Sequence, residues 1–270
     1  MTRRVAFTCL LPVHGGDKAE FFREAAISLG QSTLAPDEIL ICQDGLLPTP
    51  LETVVQDWTR VSGARVVQNP GPSGLHHNLN HALRSVGTPW IARCDADDIN
   101  LPRRFEAQIA FLSERPEIGV LGGDLIEFWP DGRERHKAMP LEHADIVDWA
   151  RWRSPINHNT VFYRTEDVLS VGGYPDVAFK EDYALWLRLI GRGVQFANIR
   201  EDLVRARLGA RFYDRRAGAK NFRSEWELYK IRTRIAGLGG GGAVAALIAR
   251  SAALAMSGPT RLVYEWGLRR

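Results

Sequence analysis

Along the first hundred residues, short apolar runs alternate with segments whose apolar positions recur every three or four residues. Residues 5–11 form such a run, stopped by Pro12, and 18–29 place Phe21, Ala25 and Leu29 at helical spacing. The pattern predicts a strand and then a helix. It repeats with a strand over 38–42 ended by Gln43-Asp44-Gly45, a helix over 51–61 and a strand over 64–68. A loop rich in proline and glycine follows from Asn69 to Gly74, then a helix over 75–86 and a strand over 89–94 that enters Asp95-Ala-Asp-Asp98. Strands separated by helices in this rhythm predict an α/β fold, with a Rossmann-like, mostly parallel central sheet flanked by helices. In such sheets ligands bind beyond the carboxyl ends of the strands. Those ends carry Pro12-Val-His14, Asp44-Gly45 and Asp95 to Asp98.

The second half is less regular. Residues 120–129 predict one or two strands closed by the turn Pro130-Asp131-Gly132, and 159–163 predict another. Residues 181–190 form an amphipathic helix with Glu181 and Asp182 in its first turn, where the helix dipole favours acids. Residues 237–242 are a glycine-rich linker; beyond it Val244, Leu247, Ile248 and Leu254 share one helical face, with Arg250 roughly opposite. The longest apolar tract, 243–256, is interrupted by Arg250 and falls short of the ~20 residues that span a bilayer. The N-terminus lacks the apolar core of a signal peptide. A cytoplasmic location is expected, with room for peripheral contact at the cytoplasmic face of an inner membrane.

Composition narrows the class. The 270 residues are 45% apolar and 25% charged, which excludes disorder, collagen and a coiled coil. Cys9, Cys42 and Cys94 form no CxxC pair and read as small buried hydrophobes in a reducing compartment. The net charge of +3 conceals an asymmetry: residues 200–270 hold 15 Lys/Arg against 6 Asp/Glu, and residues 1–199 hold 20 against 26. An acidic body with a basic tail suits an anionic partner. The tail carries no nucleic-acid-binding signature, so nucleic acid is not expected, and an acidic leaflet or a phosphate-bearing lipid fits the charge.

Three carboxylates within four residues, Asp95, Asp97 and Asp98, repel one another unless a cation lies among them. Oxygen ligands of this kind suit Mn²⁺ or Mg²⁺, which in turn hold diphosphate oxygens. Glu181 and Asp182, beside Trp186, form a second acidic site suited to a general base. His14 suits stacking on a base and Asp44 suits accepting hydrogen bonds from a base edge; His158 precedes a strand and faces the same cleft. His76, His77 and His81 lie close together but lack a partner acid for zinc.

Assembled in order, these blocks resemble a family 2 glycosyltransferase of the bacterial polysaccharide-assembling kind, over about residues 5–230. Leu10-Leu-Pro-Val-His14 is similar to the first-strand block, with His14 in place of the usual aromatic. Ile41-Cys-Gln-Asp-Gly45 resembles the Asp-Asp-Gly-Ser block, with Gln43 replacing the first acid and Leu46 the serine. The match is tightest over Ile91 to Ile99, carrying the Asp-x-Asp element, followed by Leu101-Pro-Arg-Arg-Phe105 and Gln108. Ser154 to Thr160, Val171-Gly-Gly-Tyr174 and Glu181 to Arg188 complete the pattern.

The resemblance implies a GT-A fold: residues 1–125 a nucleotide-sugar-binding half, 126–215 an acceptor-binding half of the same domain, and 216–270 a basic helical tail. It implies an inverting transfer of sugar from a nucleotide-diphosphate sugar, UDP being the commonest carrier, to a glycan or undecaprenyl-diphosphate-linked saccharide, in exopolysaccharide, capsule or O-antigen assembly. Asp182 would be the catalytic base. Pro12, His14, Asp44, Asp95, Asp97 and Arg215 would contact the donor, Asp97 and Asp98 would hold the metal, and His158, Gly173, Glu181 and Trp186 would build the acceptor side. The residues alone leave a metal-dependent phosphatase, a nucleotidyltransferase and a non-catalytic sugar-binding module as alternatives.

Overall fold

The computed structural model describes residues 5–209 and 219–255. A nine-stranded sheet forms its centre. The first half follows the predicted rhythm: β1 (Phe7–His14), α1 (Ala19–Gly30), β2 (Glu38–Asp44), α2 (Thr49–Ser62), β3 (Arg65–Asn69), α3 (Leu75–Leu83) and β4 (Trp90–Arg93). Next come β5 (Ile99–Asn100), α4 (Arg104–Glu114), β6 (Ile118–Phe128), β7 (Glu134–Lys137) and α5 (His143–Trp149). The rest is a 3-10 turn (His158–Thr160), β8 (Phe162–Arg164), α6 (Thr165–Ser170), α7 (Glu181–Gly191), β9 (Gln195–Arg207), α8 (Ala219–Arg232) and α9 (Gly241–Ala255).

The sheet order is β3-β2-β1-β4-β8-β6-β9-β5, with β7 added beside β6. β1, β2, β3 and β4 pair in parallel, as expected of βαβ units. The other half is mixed: β8 pairs antiparallel with both β4 and β6, β9 runs parallel to β6, and β5 closes antiparallel on β9. Residues 120–128 lie in one strand rather than two, and Trp129 follows it. Residues 159–161, predicted as strand, lie in and just after the 3-10 turn, because Thr160 turns its hydroxyl back to Asn157 O at 3.0 Å.

Both faces of the parallel half are covered, which is why its strands are continuous apolar runs. Phe7, Cys9, Leu11 and Val13 pack toward α1, α2 and α4, while Leu10, Leu40 and Cys42 pack toward α3 and α7. All three cysteines are buried. A smaller cluster of Val177, Tyr183, Ala184, Leu187, Leu228 and Leu238 joins α7 to α8. The glycine-rich stretch is a tight turn, with Leu238 buried in it. It makes α8 and α9 a hairpin. Ala243 and Ala246 face the body, and Arg250 reaches Glu225 from that side, so Val244 and Ile248 are left exposed. Among the described residues, no helix is long and apolar enough to cross a membrane.

Candidate active site

The carboxyl ends of β1, β2 and β4 meet on one edge of the sheet. His14 at the end of β1 is paired directly with Asp44 at the end of β2. The His14 side chain is more than half exposed, and its Nδ1 accepts the Gly16 N–H at 3.0 Å. That bond fixes the direction of the ring. The Asp44 carboxylate is nearly buried and accepts from Ser73 N and Oγ at 2.8 and 2.9 Å and from Gly74 N at 3.0 Å. Those bonds fasten the loop before α3; of about four acceptor positions on the carboxylate, three are taken. Pro12 is buried within β1, beside Cys42.

Beyond β4 the backbone turns through the three aspartates. Asp97 is half-buried, and burial, then Asp95 and Asp17, push its carboxyl up to about 6. Asp95 pairs with the Arg93 guanidinium. Arg93 is itself buried, and although burial opposes its charge, Asp95, Tyr174 and Asp98 hold it firmly protonated. Asp98 is buried: Oδ2 accepts from Asn159 Nδ2 at 2.5 Å and Oδ1 from Arg207 N at 2.8 Å. Burial, then Asp95 and Asp97, raise its carboxyl well above the ordinary range. Each Asp98 oxygen thus holds one donor, so Asp98 braces the loop while keeping about two acceptor positions, beside the half-buried Asp97. Among the described residues, no three His, Cys, Asp or Glu side chains are arranged to enclose an ion by themselves. The loop is held from below by Arg104, which donates to Arg93 O at 2.7 Å and to Asn100 Oδ1, and by Gln108, which donates to Thr160 O at 2.9 Å.

Glu181 and Asp182 open α7, half-buried. The charge of Asp182 reaches Tyr174 and Tyr183, whose phenols are raised chiefly by burial. Before them, Lys180 Nζ lies 3.1 Å from Glu225 Oε1 and donates to Asn221 Oδ1 at 2.9 Å. Glu225 also receives Arg250 Nε at 2.7 Å, and Arg232 and Arg250 both lie against the Tyr183 ring. The start of α7 is thus fastened by α8 and α9.

Of the residues expected on the acceptor side, Trp186 and Gly173 are structural in position, and His158 is half-buried. Trp186 is fully buried against Tyr163, Phe196 and His158, so it backs the wall and offers no surface to a ligand. His158 lies beneath it with Nε2 3.0 Å from the Tyr174 hydroxyl, and burial, then Arg93, lower its pKa well below the ordinary value, keeping it neutral. Gly173 has φ +74, and a β-carbon there would stand 2.2 Å from Asn80 Oδ1. That oxygen accepts Tyr174 N at 2.8 Å, so Gly173 is needed for a backbone clamp. Arg215 lies outside the described residues.

Residues 9–172 match the family described as Glycosyl transferase family 2. The chain belongs to that family. This glycosyltransferase is 35% identical over 226 residues to the amylovoran biosynthesis glycosyltransferase AmsE of Erwinia amylovora, covering 84% of this chain and 85% of the relative. It is 32% identical over 221 residues to an Escherichia coli UDP-Gal:alpha-D-GlcNAc-diphosphoundecaprenol beta-1,3-galactosyltransferase, covering 81% and 80%. Its fold matches a crystal structure of S. aureus TarS residues 1–349 with a TM-score of 0.69 at 16% identity, over 91% of this chain and 72% of that one. The phosphatase, nucleotidyltransferase and non-catalytic alternatives give way to the family assignment.

Several residues of the site carry no signal that sequence reading picked out. Asp17, Arg93, Asn159, Arg207 and Glu225 matter through contacts made in space; the first three lie inside or beside a recognised block, while Arg207 and Glu225 lie outside every one.

Proposed function

We propose that this glycosyltransferase moves a sugar from a UDP-sugar to a hydroxyl of a glycan or undecaprenyl-diphosphate-linked saccharide during assembly of a cell-envelope polysaccharide. The observation that carries this reading is the edge at which His14, Asp44 and Asp97 converge. It offers a ring face for a base, a remaining carboxylate position for a base edge, and an acid crowded by other acids. The name of the E. coli relative supports the donor and the acceptor class, and that of the Erwinia relative supports polysaccharide assembly.

Asp97, with Asp95 beside it, fits Mn²⁺ or Mg²⁺. The donors are all oxygen, and one or two carboxylates sharing the ion with phosphates is the arrangement such cations favour. When bound, the ion would neutralise charge on the departing diphosphate. Asp98 keeps the loop rigid through Asn159 and the Arg207 N–H. His14 stacks on the base and Asp44 reads its edge while holding the Ser73–Gly74 loop. Asp182 accepts the proton of the attacking acceptor hydroxyl as that oxygen joins the anomeric carbon and the nucleoside diphosphate leaves from the opposite side, inverting the centre. Glu181 binds an acceptor hydroxyl. Tyr174, buried with Trp186 and hydrogen-bonded to the half-buried His158, braces the protein between the two acidic sites.

The enzyme works at the cytoplasmic face of the inner membrane, against which the exposed Phe222 and Trp226 of α8 and Val244 and Ile248 of α9 would rest. Flotation with anionic vesicles tests this; equal recovery of wild type and a Trp226→Ser/Ile248→Ser variant rejects it.

The central test is thermal. A ligand at a hundred times its Kd stabilises the native state by ~2.7 kcal/mol, about 5–10 °C for a chain of this size. UDP with Mn²⁺ is expected to give such a shift, Asp97→Asn to abolish it, and UDP-galactose with octyl GlcNAc-diphosphate to release UDP. No shift with any nucleoside diphosphate and metal defeats the reading.

A further inference from the structure

We infer that Phe179 is a stacking platform for a pyranose ring of the acceptor, set just ahead of the proposed base; this rests on the reading above. Among the described residues Phe179 is the one non-glycine residue with positive φ, at +62°, a region where the β-carbon crowds the backbone and a bulky side chain is an outlier. The strain brings no burial, since Phe179 remains 45% exposed.

The segment around it is prevented from relaxing. Ala178 O accepts Ser224 Oγ at 2.8 Å, Lys180 N donates to Val177 O at 3.0 Å, and Val177 is buried in the cluster joining α7 to α8. On the other side Lys180 is anchored to Asn221 and Glu225. A turn fastened at 177, 178 and 180 therefore turns residue 179 outward, three positions before Asp182. Strain that the surroundings impose and packing does not use is characteristic of ligand clamps. An aromatic face attracts polarised C–H groups, which a pyranose presents on its flat sides while its hydroxyls point to the rim. Glu181 and Asp182 follow within three residues, at the start of α7, and on the reading above would take those hydroxyls. The nucleobase has its own place at His14 and Asp44, on the edge formed by β1 and β2, so the ring at Phe179 is left for the acceptor.

The test uses the full-length enzyme with UDP-galactose, Mn²⁺ and octyl GlcNAc-diphosphate. Phe179→Ala is expected to raise the acceptor KM about five- to tenfold while the Kd for UDP stays unchanged, and Phe179→Trp to restore the KM. Phe179→Gly is expected to raise Tm by about 2 °C through relief of the left-handed strain, yet to lose acceptor affinity as Phe179→Ala does. An unchanged acceptor KM in Phe179→Ala overturns the inference, as does a defect confined to vesicle flotation, which would make the ring a lipid contact. Failure of the wild type to bind UDP or turn over the acceptor defeats the functional reading itself and this inference with it.

Discussion

Asp98 and Asp182 are both carboxylates near the cleft, yet their surroundings differ. Asp98 is buried and held by Asn159 and the Arg207 N–H, and beside it Asp95 is tied to the buried Arg93. Asp182 is half-buried at the start of α7, two residues after Lys180, which meets Glu225. A loop that concentrates like charge to attract a cation must be clamped directly, or repulsion would open it. In the proposed reading Asp182 has to gain and lose a proton, which a half-buried carboxyl at a helix start permits.

The largest separation between the two sites should come from Asp182→Asn. Loss of a general base lowers kcat by about 10²–10⁴-fold, and Kd for UDP with Mn²⁺ should not change; transfer at the normal rate would remove Asp182 from its role. Next is Glu225→Ala, which leaves Lys180 and Arg250 facing each other without their shared acid. Breaking a mostly buried ion cluster in this way costs ~3 kcal/mol, visible as a lower denaturant midpoint, and should depress transfer more than UDP binding. Asn159→Ala leaves Asp98 Oδ2 without its donor, at ~1–3 kcal/mol, and should weaken UDP–Mn²⁺ binding in calorimetry with little effect on acceptor KM. If the two variants instead affect donor and acceptor alike, the sites are not separately supported.

The smallest effect is one of pH. Burial pushes the Glu225 carboxyl up, but Arg250 and Lys180 outweigh it and hold it below its ordinary value of 4.5. A carboxyl lowered in the fold stabilises fully above the unfolded value, and that contribution is lost as pH falls through the folded one. Glu225→Gln should therefore flatten the acid limb of the Tm profile below about pH 4.5 and leave its shape at neutral pH. An identical acid limb in the two proteins would rule this out.

The parallel half of the fold was legible because buried strands and amphipathic helices differ in period, and because ligands lie at strand ends in such sheets. His14, Asp44 and the Asp95–Asp98 turn were visible for that reason. The second half was less so. β8 inserts between β4 and β6 from far along the chain, and nothing in the residues 162–164 themselves announces an antiparallel partner. Trp186 illustrates the same limit: an aromatic beside two acids resembles a sugar-binding surface, yet its place on α7 turns it into the core. Arg250 was expected opposite the apolar face of α9 and in space meets Glu225, because Ala243 and Ala246, small enough for close approach, are what α9 turns toward the body.

The pairing of β5 with β9 sets an order of events during synthesis. Asp98 is closed by an amide 109 residues further on, and the two-residue β5 has β9 as its sheet partner. A ribosome that has released only the parallel half has delivered every aspartate of the turn but neither Asn159 nor Arg207. The nascent chain thus carries its most concentrated negative charge unclamped until β9 emerges, and competence for nucleotide arrives late, after most of the protein has been made.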